Sequence, residues 1–240
     1  MPIINVDVKS LEVVVAADLS RDAVMMKEIV NREDMHENNR LAFNLPSRLI
    51  AKVFVFRLLY GGSAYSYAND PDFKDVGLDE NGWQQVIDNY YLKYKGVAEW
   101  HKRIVEEVQA TQKLSIPSGR YYPLSPTKNA RGELKWPITM IKNYPCQGFG
   151  SDLVMLARLE ARKLLKASGL KADLVGSIHD SIIADAPTEN VVQVGKLLLQ
   201  AVESVPRLCK QVWGYDFSLP LTGEVSFGPN KKDLEDLKMS

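Results

Sequence analysis

The chain has few of the features that would mark it for secretion, a membrane or a metal cluster. Its 240 residues include two cysteines, Cys146 and Cys209, too few for a disulfide framework and not spaced as a thiolate metal pair. The opening Met1-Pro2-Ile3-Ile4-Asn5 has neither the charged start nor the apolar run of a secretory signal. No stretch approaches the roughly 18 uninterrupted apolar residues of a membrane span. Excess charge of one sign is also missing, since Lys+Arg and Asp+Glu both total 30. A polyanion site must then be a local concentration of cations rather than a global basic field. Repeats and low-complexity tracts are absent. The expectation is a soluble, cytoplasmic protein with no membrane partner.

At 45% hydrophobic and 25% charged, the composition suits one sizeable core, or two lobes sharing one. The most informative local pattern is Arg48, Lys52, Phe56 and Tyr60, spaced by four and closed by Gly61-Gly62. Residues so spaced stay near one helical face, and nearly everything between them is apolar. Two cations on such a helix either snorkel to water or meet an anion.

Residues 11 to 17 form a β-branched apolar run that reads as a buried strand delivering Asp18 at its end. A helix is expected from Ser20 to about Ile29, another near His36, and the striped helix after Pro46-Ser47. Residues 62 to 82 read as loop, 83 to 94 and 97 to 112 as helices broken at Gly96, and 114 to 137 as turns and short strands. The aromatics Trp83, Tyr90, Tyr91, Tyr94 and Trp100 read as packing. A helix over 151 to 167 precedes two apolar runs, 174 to 178 and 182 to 186, which form a hairpin with His179-Asp180-Ser181 at its tip. A further helix, 188 to 204, and a last strand between 221 and 230 complete the pattern.

A carboxylate at a strand end is either a turn cap or a metal ligand. Two of them, Asp18 and Asp180, suit a pair of divalent ions, because magnesium prefers hard oxygen ligands and leaves room for phosphate oxygens. Arg48 and Lys52 would then clamp a triphosphate, with Lys52 placed to protonate departing pyrophosphate, and Phe56 and Tyr60 would offer aromatic surface to sugar and base.

Arg48-x3-Lys52-x3-Phe56-x3-Tyr60-Gly61 resembles motif B of the family A DNA polymerases. Ala17-Asp18-Leu19-Ser20 resembles the start of their motif A, and Ile178-His179-Asp180 their motif C. Asn143-Tyr144-Pro145-Cys146-Gln147-Gly148 resembles an Asn-x-Pro-x-Gln-Gly element, and Asp34-Met35-His36 an Asp-Ile-His element of the fingers. All five elements occur in the family's order. The resemblance implies an α+β fold, an antiparallel palm sheet with a mainly helical fingers lobe, divided as palm 1–30, fingers 31–133 and palm 134–240.

It further implies that Asp18 and Asp180 ligate two Mg2+ ions, that His36, Arg48 and Lys52 hold the deoxynucleoside triphosphate, and that Phe56 faces the sugar. Tyr60 would stack near the templating position. Asn143, Gln147 and His179 would contact primer-template DNA. Two departures stand out. The family's glutamate five residues after the motif A aspartate is replaced by Ala23, with Asp22 beside it. Ser181 replaces the glutamate that follows the motif C aspartate. The expected activity is template-directed, two-metal-ion DNA synthesis by one piece of a split polymerase, phage-like in its short fingers. A second polypeptide would supply the thumb and 3′–5′ exonuclease. The rivals are a catalytically degenerate scaffold subunit of a replication complex and an unrelated metal-dependent phosphohydrolase.

Overall fold

The computed structural model describes residues 1–129 and 131–237. The chain runs β1 (Ile3–Val8), α1 (Leu11–Ser20), α2 (Ala23–Val30), α3 (Met35–Ala42), α4 (Arg48–Leu59), α5 (Ala64–Ala68), a 3-10 turn (Pro71–Val76), α6 (Glu80–Lys93) and α7 (Lys95–Thr111). Four short strands follow, β2 (Lys113–Ser115), β3 (Tyr121–Pro123), β4 (Thr127–Lys128) and β5 (Leu134–Lys135), and then α8 (Ile138–Ser168). The remainder is β6 (Asp173–Ile178), β7 (Ser181–Asp185), α9 (Val191–Glu203), α10 (Val205–Trp213), β8 (Gly223–Gly228) and β9 (Glu235–Asp236). The class is α+β, as expected. Two compact units divide the chain: Met1–Leu11 with Gly148–Ser240, and Glu12–Gln147.

The first unit is built on an antiparallel sheet of order β6-β7-β1-β8-β9. In β1, Ile4, Val6 and Val8 share one face by the two-residue period of a strand, and all three are buried. Asn5 and Asp7 are therefore on the other face. Helix α9 packs on β1 and β8. It buries Val194, Leu198, Ala201 and Val202, an i, i+4, i+7, i+8 stripe.

In the second unit the core gathers around α4, whose Ala51, Phe54, Val55, Leu58 and Leu59 are buried. Phe54 lies 5.2 Å from Tyr67 and 5.8 Å from Trp83, ring centre to ring centre. The Tyr67 hydroxyl donates to the Phe54 carbonyl at 3.0 Å. Ser47 caps the start of α4 by accepting from the Ile50 amide, and Gly61, at φ +87°, follows its end.

Several expectations are corrected. Residues 11 to 17 are helical, not a strand. Val13, Val14, Val15, Ala16 and Ala17 are all buried, and a run buried on every side carries no period that separates helix from strand. The strand is Ile3–Val8 instead. Helix α2 is capped by Asp22, whose side chain accepts from the Met25 amide, whereas the Ser20 hydroxyl turns back to the Ala17 carbonyl. Within 62 to 82 the Ser63 capping box starts α5, and burial of Tyr67 and Phe73 orders the segment. Helix α8 begins at Ile138, thirteen residues before the expected start, and runs through Pro145. Burial of Ile141, Cys146 and Phe149 outweighs the backbone hydrogen bond that proline forfeits. Helix α10 had no counterpart in the sequence reading.

Gly96 lies in the first turn of α7 rather than at the break. Its amide donates to Asp22 Oδ2 at 2.7 Å, and an added Cβ would come within 2.7 Å of the Asp22 Cα. Gly96→Ala is expected to destabilise the protein by about 1–3 kcal/mol, the usual cost of overpacking, measured by denaturant melts.

His101 gives a second expected result. It is buried in α7, with Nδ1 3.0 Å from the Tyr91 hydroxyl. Burial pushes its pKa down to about 3 and Lys142 adds to the effect, while the Leu59 carbonyl opposes it. The fold thus favours the neutral ring. Below the ordinary value of 6.5 the unfolded chain takes up a proton that the folded chain refuses. Its stabilisation is complete above pH 6.5 and drains away as pH falls toward about 3. The melting temperature should fall between pH 7 and 4, and His101→Gln should flatten that fall.

Candidate active site

In the first unit, strand β1 ends one residue beyond Asp7, and β6 and β7 are joined by His179-Asp180. His179 is exposed and left-handed, at φ +53°, which lets two residues close the hairpin. The Val8 amide donates to the Asp180 carbonyl at 3.0 Å, and Asp7 sits directly opposite Ser181 in the β1–β7 register. The two aspartates therefore come from neighbouring strand ends. Burial raises the Asp7 carboxyl above its ordinary range, and the Asp180 charge raises it further. Lys231 lowers it and Glu224 raises it, both with smaller effect than Asp180 or burial.

Asp18 is placed otherwise. It lies inside α1, is 0% exposed, and accepts from Arg21 Nη1 at 3.0 Å. It belongs to the second compact unit and Asp180 to the first. The carboxylate at a strand end is Asp7. The signal for it was present in the alternation of Ile4, Val6 and Val8 with Asn5 and Asp7. The longer apolar run after it drew attention away. Counted from Asp7, the residue five positions on is Glu12. Asp22 is committed elsewhere, since its carboxylate accepts from both Met25 and Gly96 amides.

In the second unit, α3 and α4 bring His36, Arg48, Lys52 and Phe56 together. Arg48 Nε donates to Asp34 Oδ2 at 2.7 Å, Lys52 Nζ lies 5.8 Å from the Phe56 ring centre, and the His36 and Phe56 rings are 6.0 Å apart. Burial depresses the His36 pKa, and the Arg48 and Lys52 charges depress it further, against the pull of Asp34. His36 Nδ1 is buried without a hydrogen-bond partner. Such an atom is costly to leave unpaired and fits a ligand acceptor or donor.

Tyr60 caps the other end of α4. Burial raises its hydroxyl pKa, and Glu12 and then Cys146 add to that, while the Gln147 side chain hydrogen-bonds the hydroxyl and works in the opposite sense. Glu12, Tyr60 and Gln147 thus form one neighbourhood. Asn143 Oδ1, one turn earlier on α8, is also buried without a partner. Arg48 and Lys52 are exposed, so an anion can reach both, in competition with Asp34 at Arg48.

The Asp7 and Asp180 oxygens suit a hard divalent cation, which would offset the repulsion between the two carboxylates. Among the described residues no group of three or more His, Cys, Asp or Glu side chains is placed to hold a metal. Remaining ligands would come from water or phosphate, as magnesium tolerates.

The profile of DNA polymerase family A matches residues 1–233, and the chain belongs to that family. It is 25% identical to DNA polymerase I of Chloroflexus aurantiacus over 241 aligned positions, covering 97% of this chain and 24% of that protein. It is 27% identical to DNA polymerase I of Pseudomonas aeruginosa, covering 78% of this chain and 21% of that one. With the DNA polymerase of Bacillus phage SP01 it shares 23% identity, over 80% of this chain and 21% of that one. The chain thus spans about a quarter of the length of the curated relatives it matches. Its fold is similar to the POL domain of Pol1 from M. smegmatis, solved in complex with DNA primer-template and dNTP. That likeness has a TM-score of 0.73 at 18% identity and covers 95% of this chain and 39% of that one. Among the described residues no helix is long and apolar enough to cross a membrane.

Proposed function

We propose that this chain is the fingers and palm of a DNA-directed DNA polymerase, adding deoxynucleotides to a primer 3′ end. The observation that carries the reading is the pairing of Asp7 with Asp180 at adjoining strand ends in a family A chain. Asp7 replaces Asp18 in the proposed metal-binding role. The functional division remains palm 1–30, fingers 31–133 and palm 134–240.

Arg48 and Lys52 hold the triphosphate by charge-assisted contacts, and His36, kept neutral by burial and its cationic neighbours, donates or accepts one further hydrogen bond. Lys52 delivers a proton to the departing pyrophosphate. Phe56 packs on the sugar and Tyr60 stacks beside the templating base. Glu12, close to Tyr60, takes the sugar-discriminating role that counting from Asp18 had left to Ala23. Asn143, Gln147 and His179 touch the primer-template. Asp7 and Asp180 would hold two Mg2+ ions, which supply charge stabilisation to the attacking and leaving oxygens when bound.

A second polypeptide carrying a thumb and a 3′–5′ exonuclease completes the proposed assembly. Exposed Val175 (53%) and Ile178 (48%) on the edge strand β6 support a covering segment there. The test is extension of a labelled primer-template by this chain alone and mixed with a thumb-bearing polypeptide. Extension in the mixture supports the reading. Nucleotide hydrolysis without any need for primer-template points to a phosphohydrolase, and no reaction in either sample points to a scaffold subunit.

A further inference from the structure

Beside the paired aspartates the sheet carries a cation that the proposed mechanism does not use. Asp7 and Asn5 share a face of β1, and Asp7 is flanked in register by Ser181 on β7 and Glu224 on β8. Lys231, from the segment after β8, lays its Nζ across that row, 3.2 Å from Asn5 Oδ1 and 3.2 Å from Ser181 Oγ. Neither partner is charged, so the ammonium keeps its full charge for its surroundings. Ser181 stands directly opposite Asp7 and follows Asp180 in the chain, so the ammonium lies beside the carboxylate pair. Glu224, the other acid in the row, is ion-paired with Lys9 at 2.7 Å. Lys231 is thus a fixed positive charge beside Asp7 and Asp180, and Ser181 adds no carboxylate where it could have done so.

Resting on the polymerase reading above, we propose that Lys231 is a positioning residue of the carboxylate site. Its anchored ammonium offsets the Asp7–Asp180 charge, so that the protein binds a divalent cation weakly alone and acquires it together with an anionic triphosphate. A fixed cation repels a metal ion, and a bound triphosphate outweighs that repulsion. The two hydrogen bonds keep the ammonium from swinging away when the metal arrives.

The test measures Mn2+ binding by electron paramagnetic resonance and calorimetry, with no catalytic turnover, for wild type, Lys231→Met, Lys231→Arg and Asp7→Asn. Each is measured with and without a deoxynucleoside triphosphate, and folding is checked by melting in chelator. Without nucleotide, Lys231→Met should bind Mn2+ about tenfold more tightly, the order expected for removing one nearby charge. Lys231→Arg should restore wild-type affinity, and nucleotide should shrink the difference. A merely structural lysine would loosen the site on removal, so unchanged or weaker binding by a folded Lys231→Met overturns the proposal. If Asp7→Asn binds Mn2+ like wild type, the carboxylate-site reading falls instead.

Discussion

Asp7→Asn is expected to abolish primer extension, a loss of two to three orders of magnitude or more on the usual scale for removing a charge that stabilises a transferring group. The same substitution should stabilise the metal-free protein. Its raised carboxyl is held in place by burial and by the charge of Asp180, and a neutral amide relieves both. In chelator its melting temperature should rise, by about 2–4 °C for each 1 kcal/mol relieved. Asp18→Asn should behave in the opposite way. It weakens a part-buried, charge-assisted hydrogen bond to Arg21 and should cost about 1.5 kcal/mol of stability, yet leave turnover measurable. Primer extension and melting of the two variants side by side separate the assignments. An inactive but destabilised Asp18→Asn beside an active Asp7→Asn would reverse them.

Lys52→Ala should lower kcat by about 10²–10³-fold while the fold persists, because the side chain is exposed. The variant also has a readout that needs no turnover. Lys52 is one of the two cations that depress the His36 pKa, so its removal should move that value upward toward 6.5, visible by NMR titration. Arg48 stays in place and burial is unchanged, so the shift should be partial. A wild-type rate would remove Lys52 from the chemistry. An unmoved His36 would mean that the two side chains are farther apart in solution than α3 and α4 place them.

Local signals were readable in the sequence wherever one residue type has one physical use. The Pro46-Ser47 start and Gly61 stop of α4 depend on a cap hydroxyl and a left-handed turn, and both were found. The β6–β7 hairpin was legible because two apolar runs flank a short polar tip. The strand expected over residues 11 to 17 failed for the converse reason. Val13, Val14 and Val15 favour strands by propensity, but a helix buried on all sides accepts them. Helix α8 was shortened because Pro145 and Gly148 are local breakers, and only the burial of their neighbours overrides them.

By itself the sequence pointed to the family, through short elements in order, and with it to the cationic stripe of α4 and the hairpin that bears Asp180. Those features are properties of consecutive residues, so spacing alone reveals them. Tertiary structure decided which aspartate partners Asp180, where Glu12 lies, and that Lys231 reaches Ser181 across fifty positions of chain. Strand register sets Asp7 beside the hairpin that bears Asp180. Register is a relation between distant segments, set by which faces are buried, and no local pattern records it.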